Sequence, residues 1–182
     1  MKTLLLLFLT CSLTAFSQEY KIPELQDDTI ISTNSDYYST LGITDRNAMI
    51  ITAGNTGTFE HVLSRFIVYF KDGTVKKFTI HNSSGTVTEL AVQPGEKARY
   101  VQFLNTCVTD ERLQLDRILL TGGSFTVPNG TTDYFTVYHA GKALYLSSYA
   151  SAIYIEHKAP GWQERQKLVD LIKTFEALFN NK

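Results

Sequence analysis

Two stretches decide how this chain folds: 65-RFIVYFKDGTVKKFTI-80 and 133-DYFTVYHAGKALYLSS-148. Each is a run of β-branched and aromatic residues interrupted by a glycine turn, Lys71-Asp72-Gly73 in the first and Ala140-Gly141 in the second. Such runs suit a pleated, half-buried surface, and a short glycine turn between two of them is a hairpin signal. The first hairpin is expected to pair 65–70 with 74–80, the second 133–139 with 142–148.

Working outward, 48–53 (AMIITA) is a short apolar run that reads as a buried strand, and Gly54-Asn55-Thr56-Gly57 behind it reads as a turn. A third strand is expected over 85–92, closed by Pro94-Gly95. Beyond it Ala98, Val101, Leu104 and Val108 recur at helical spacing, which predicts a helix over 96–105. Residues 117–120 and 124–127 read as strands flanking Gly122-Gly123, and 152–157 reads as another. Pro160-Gly161 opens the strongest helix, 162–179, whose apolar face is Leu168, Ile172, Phe175 and Phe179, widened by Leu171 and Leu178.

The expected fold is therefore α+β: an antiparallel β-sheet of meanders with two helices packed on one face. The halves also resemble each other, Phe66-Ile67-Val68-Tyr69 matching Phe135-Thr136-Val137-Tyr138 before similar glycine turns, Pro-Gly pairs and helices. That parallel suggests an internal β-β-β-α duplication, although any meander ending in a helix would share the order.

Residues 1–17, MKTLLLLFLTCSLTAFS, carry one lysine, a leucine run and a small-residue end, the pattern of a cleavable signal peptide. Thr10, Ser12 and Thr14 interrupt the apolar run well short of the roughly 20 residues needed to span a bilayer. Cys11 follows Phe8-Leu9-Thr10 rather than small residues, so a lipid anchor there is not expected. Cleavage after Ser17 leaves 165 residues of the 182, an acidic arm over 18–46 and one α+β domain over 47–182. It also changes the formal charge from −1 to −2, and without a basic excess nucleic acid is not an expected partner. Only Cys107 remains, so no intrachain disulfide can form, and the residue reads as a small buried hydrophobe.

Motifs for chemistry are sparse. The four histidines, His61, His81, His139 and His157, have no chelating spacing, and neither a metal nor a cofactor is expected. His81 and His139 both fall near hairpin strand ends, where they could converge. Gly-x-Ser-x-Gly is missing, so a hydrolase would need a site assembled from dispersed residues. The acids Glu24, Asp27, Asp28, Asp110 and Glu111 read as solvated charge.

The remaining feature is aromatic. Strand alternation puts Tyr134 and Tyr138 on one face, and Tyr145 and Tyr149 on one face of the next strand. If those faces coincide and are open, they form a platform for a sugar, a peptide or a protein; covered by a helix, they are ordinary sheet residues. The four tyrosines and neighbouring His139 are the candidate binding residues. The expected function is a non-enzymatic module of the cell envelope or the exterior that binds a protein or small ligand. A hydrolase and a structural accessory of an envelope complex are the alternatives.

Overall fold

In a computed structural model, residues 36–56, 63–123, 127–128 and 130–180 are described. The signal sequence, the first part of the arm and most of the strand expected over 124–127 lie outside them. A one-turn helix, α1 (Tyr37–Thr40), is followed by the strands β1 (Met49–Thr56), β2 (Leu63–Tyr69), β3 (Val75–His81) and β4 (Val87–Leu90). Three helices come next, α2 (Lys97–Cys107), α3 (Asp110–Leu113) and α4 (Arg117–Thr121). The hairpin β5 (Thr132–His139) and β6 (Lys142–Tyr149) precedes α5 (Ser151–Glu156) and α6 (Trp162–Ala177).

The sheet order is β4-β3-β2-β1-β5-β6 and every neighbouring pair is antiparallel. Both hairpins form where the glycine turns place them, with Gly73 and Gly141 in the left-handed region at φ 82° and 77°. An L-residue at either position would be strained. The second hairpin does not extend the meander at its β4 edge. It returns to pair β5 with β1, which places β1 in the interior of the sheet.

One face of the sheet carries the larger core. Met49, Ile51, Ile67, Phe135, Val137 and Leu146 meet Tyr100, Phe103 and Leu104 of α2 and Leu168, Ile172 and Phe175 of α6. Phe175 contacts Phe103 and Phe135 with ring centroids 6.0 and 6.4 Å away. Two tyrosine hydroxyls tie the layers, Tyr69 donating to the Tyr100 carbonyl at 3.0 Å and Tyr100 to the Leu178 carbonyl at 2.8 Å. The opposite face buries Ile50, Phe66, Val68 and Phe78 under Tyr38, Leu41 and Ile43, from α1 and the turn after it.

Three sequence expectations are corrected. Gly54, Asn55 and Thr56 form no turn; they continue β1 because β5 pairs with them, Gly54 opposite Tyr134 and Asn55 opposite Asp133. Gly54 lies against the Tyr134 side chain, where an added Cβ would stand 3.4 Å from the phenol oxygen. Residues 117–120 are helical, since Asp116 accepts hydrogen bonds from the backbone N–H of Ile118 and Leu119 at 2.9 and 3.1 Å, an N-cap. Residues 152–157 are helical too: Ala150 at φ 53° turns the chain off β6, and Ser151 and Tyr154, three apart, become the buried side of α5. With a helix where a third strand was expected, the internal duplication is not confirmed.

Because α6 supplies so much of the main core, deleting residues from Trp162 onward is expected to give insoluble protein. Phe175→Ala is expected to cost about 3–5 kcal/mol, typical of a large aromatic removed from a packed core. Urea unfolding monitored by far-UV circular dichroism measures the second effect. A soluble, folded truncation would refute the docking of α6.

Candidate functional site

The two tyrosine faces coincide. In the register of β5 and β6, Tyr134 stands opposite Ser147, Thr136 opposite Tyr145, and Thr132 opposite Tyr149. Directly opposed residues share a face, so Tyr134, Tyr138, Tyr145 and Tyr149 all lie on the side away from α2 and α6. Phe135, Val137, Leu144 and Leu146 alternate onto the helix side and are buried there.

The four are not equivalent. Tyr134 is half-buried over Gly54, and burial pushes its phenol upward. Tyr145 is half-buried at mid-strand. Tyr149 is 44% exposed, but its hydroxyl donates to the Val127 carbonyl and accepts from the Gly130 N–H at 2.9 Å, which holds a local turn. Tyr138 lies where the sheet meets α1, its ring centroid 5.2 Å from that of Tyr37 in an edge-on contact.

At that junction is a cavity of about 520 Å³, walled by Tyr37, Tyr38 and Tyr138 and by the hairpin turn Ala140–Ala143. Asp36, Arg46, Asn47 and Lys142 supply its polar groups. The local sequence builds it in steps. Asp36 caps α1, accepting from the Ser39 backbone N–H at 3.4 Å and from its hydroxyl at 2.8 Å. Arg46 then donates two parallel hydrogen bonds to the same carboxylate, at 2.7 and 2.9 Å. These bonds hold the Asp36 carboxyl well below the usual carboxylate range. The Arg46 guanidinium also sits 5.1 Å from the Tyr38 ring centroid, within cation–π range. Tyr38 donates to the Ala48 carbonyl at 2.7 Å, and burial raises its phenol to about 12, so it remains a donor across the neutral range.

His139 does not join the tyrosines. Alternation along β5 turns it to the other side of the sheet, where it is half-buried with Nε2 making no hydrogen bond to a protein group. Burial, aided by the charge of Lys71, pushes its pKa below the usual value. His81 does not converge with it either: His81 pairs with Leu63 at one end of the sheet, whereas His139 lies at the end marked by Met49 and Tyr69. Among the described residues no three His, Cys, Asp or Glu side chains gather in a metal-binding group, and no helix is long and apolar enough to cross a membrane. Cys107 is a free, half-buried thiol packed against the main core.

Sequence reasoning paired the tyrosines on one face within each strand, left open whether the two faces coincide, and missed Tyr37, Tyr38 and Arg46, which sit in a segment read as acidic arm. The one available signal was Tyr37-Tyr38 directly after a capping aspartate. No protein-family model matches this chain, and no curated protein sequence matches it.

The histidine gives a pH prediction. Its pKa in the folded protein lies below the ordinary 6.5, so the unfolded chain takes up the proton first and stability falls as pH drops from about 6.5 toward the folded value. In His139→Gln that part of the acid-side loss is expected to disappear. Urea midpoints measured at a series of pH values compare the two proteins, and parallel profiles would refute the assignment.

Proposed function

We propose that this protein is an exported, non-catalytic binding module that receives its ligand in the tyrosine-walled cavity between α1 and the β5–β6 turn. The observation that carries the reading is the combination of walls and rim. Three tyrosines provide rigid apolar area at low entropic cost, while a guanidinium, an ammonium, a carboxylate and an amide stand beside them. A cavity of about 520 Å³ with this mixture matches a small-ligand site more closely than a packing defect. Tyrosine faces stack on sugar rings and on aliphatic or aromatic side chains, and the polar rim sets orientation. Among the described residues, the polar groups of the lining are Asp36, Arg46, Asn47, Lys142 and the tyrosine hydroxyls. Export rests on residues 1–17, with Gln18 as the mature N-terminus.

Screening against soluble oligosaccharides and short peptides by NMR is expected to yield a ligand whose shift perturbations centre on Tyr37, Tyr138 and Lys142. Tyr138→Ala and Arg46→Ala should each weaken that ligand about tenfold, the loss of about 1.4 kcal/mol. A ligand that binds both variants as tightly as the parent protein would sink the proposal. Intact-mass measurement of the exported product tests the other half, the expected species beginning at Gln18.

A further inference from the structure

The sheet ends in two unlike edges. β4 is four residues long and carries Glu89, paired with Lys76 at 3.1 Å; short, charged edges resist pairing with other chains. β6 is eight residues long, keeps one unbroken register with β5 from Lys142 to Tyr149 and contains no proline. Its one charge, Lys142, lies at its end, and no charge, proline or bulge protects the strand after it.

The turn determines which backbone groups β6 leaves over. His139 and Lys142 close the two-residue turn Ala140-Gly141, with φ of 50° and 77°, and the pair closing such a turn exchanges both its hydrogen bonds. Alternation then directs Lys142, Leu144, Leu146 and Ser148 toward β5, and the N–H and C=O groups of Ala143, Tyr145 and Ser147 outward. Among the described residues no strand pairs with that edge. Beside it α4 packs on β6 and leaves Ile118 and Leu119 80% and 39% exposed.

The edge is complementary to itself. About a two-fold axis at Tyr145, two copies of β6 run antiparallel with Tyr145 opposite Tyr145, Ala143 opposite Ser147, Leu144 opposite Leu146 and Lys142 opposite Ser148. The leucines, already members of the main core, meet on the helix side, the tyrosines meet on the other, and no like charges are opposed. The outward groups of Ala143, Tyr145 and Ser147 all gain partners. We propose that this protein forms a two-fold dimer through β6, which joins two sheets into one and uses up the exposed edge. The rotation brings Ile118 and Leu119 of both copies onto one face of the joined sheet, and the tyrosine-walled cavities onto the other. The Lys142 ends, where those cavities lie, stand about 20 Å apart along the strands. The dimer does not depend on the binding role given to the cavity; where that role holds, a ligand of repeated units is gripped at two points.

The test is sedimentation equilibrium of the full chain over a range of concentrations. The expected result is the mass of two chains at the higher concentrations, dissociating reversibly on dilution and rising no further. Ser147→Pro removes an outward N–H that the dimer uses, a change that an edge strand tolerates, and should sediment as a single chain. Tyr145→Lys and Tyr145→Glu each set like charges across the axis and should weaken the dimer at least tenfold, whereas an equimolar mixture of the two should restore it. That pair keeps the test intact if the proline variant misfolds, and it ties the contact to Tyr145. A single-chain mass at every concentration overturns the dimer and leaves the edge to a strand of another protein. Association undiminished in all three variants, or a mass that climbs past two chains, overturns it equally.

Discussion

The rest of the structure hangs on β1 being buried on both faces. Met49, Ile50, Ile51 and Ala53 are 0%, 0%, 0% and 5% exposed, and alternation sends Ile51 to one side and Ile50 to the other. A strand in that position needs partners along both edges and cover on both faces. Pairing with β2 and with β5 supplies the edges, which is why the second hairpin returns to β1 instead of continuing past β4. The long helices supply one cover, and α1 with Leu41 and Ile43 supplies the other. Each fully buried aliphatic side chain contributes about 1.5–3 kcal/mol, so both covers matter to folding.

Charges in the interior follow the same logic of paired need. Lys77 is 3% exposed on the helix side of β3, with Nζ 3.4 Å from the Glu96 carboxylate and 5.5 Å from the Tyr100 ring centroid. Glu96 in turn accepts from the Gln93 N–H at 2.9 Å, which with Lys77 holds its carboxyl below the usual range. Arg165 is 1% exposed and makes no ion pair among the described residues; its guanidinium donates to the carbonyls of Leu119, Gly122 and Pro160 and lies 3.9 Å from the Tyr154 ring centroid. It thereby satisfies carbonyls at the end of α4 that no helical N–H reaches. Gly161 borders this arrangement at φ 80°, and a Cβ there would collide with both the guanidinium and the Leu119 carbonyl.

What could be read from the residues was what local chemistry dictates. Gly73 and Gly141 specify hairpin turns, and the spacing of Leu168, Ile172 and Phe175 specifies a helix face, so the α+β class and both hairpins were legible. The misread segments are those where context overrides a short pattern. Ile118-Leu119-Leu120 and Ile153-Tyr154-Ile155 look like strand, but a capping aspartate and a left-handed alanine make each a short helix. Arg165 sits among charged residues in the helix and gives no sign of burial, because its partners are carbonyls from α4 and the turn before α6. Parity revealed that the tyrosines share a face within each strand. It could not reveal that Tyr37, Tyr38 and Arg46 would wall the cavity, because that depends on a segment more than 80 residues upstream folding back onto the sheet.

The two covers of the sheet differ greatly in how firmly they are held. The main core is closed by helices of 11 and 16 residues, whereas among the described residues the opposite face is covered by the four-residue turn α1 with Leu41 and Ile43 after it, fastened by an exposed Arg46–Asp36 pair and a buried tyrosine hydroxyl bond. Short elements at the rim of a sheet open locally more readily than long helices in the main core. Tyr37 and Tyr38 belong to that element and Arg46 is paired to its capping Asp36, so the cavity forms in the fraction of molecules with α1 docked. Apparent affinity for anything bound there is scaled by that fraction, and a residue remote from the cavity that stabilises the docked turn would tighten binding without touching the ligand.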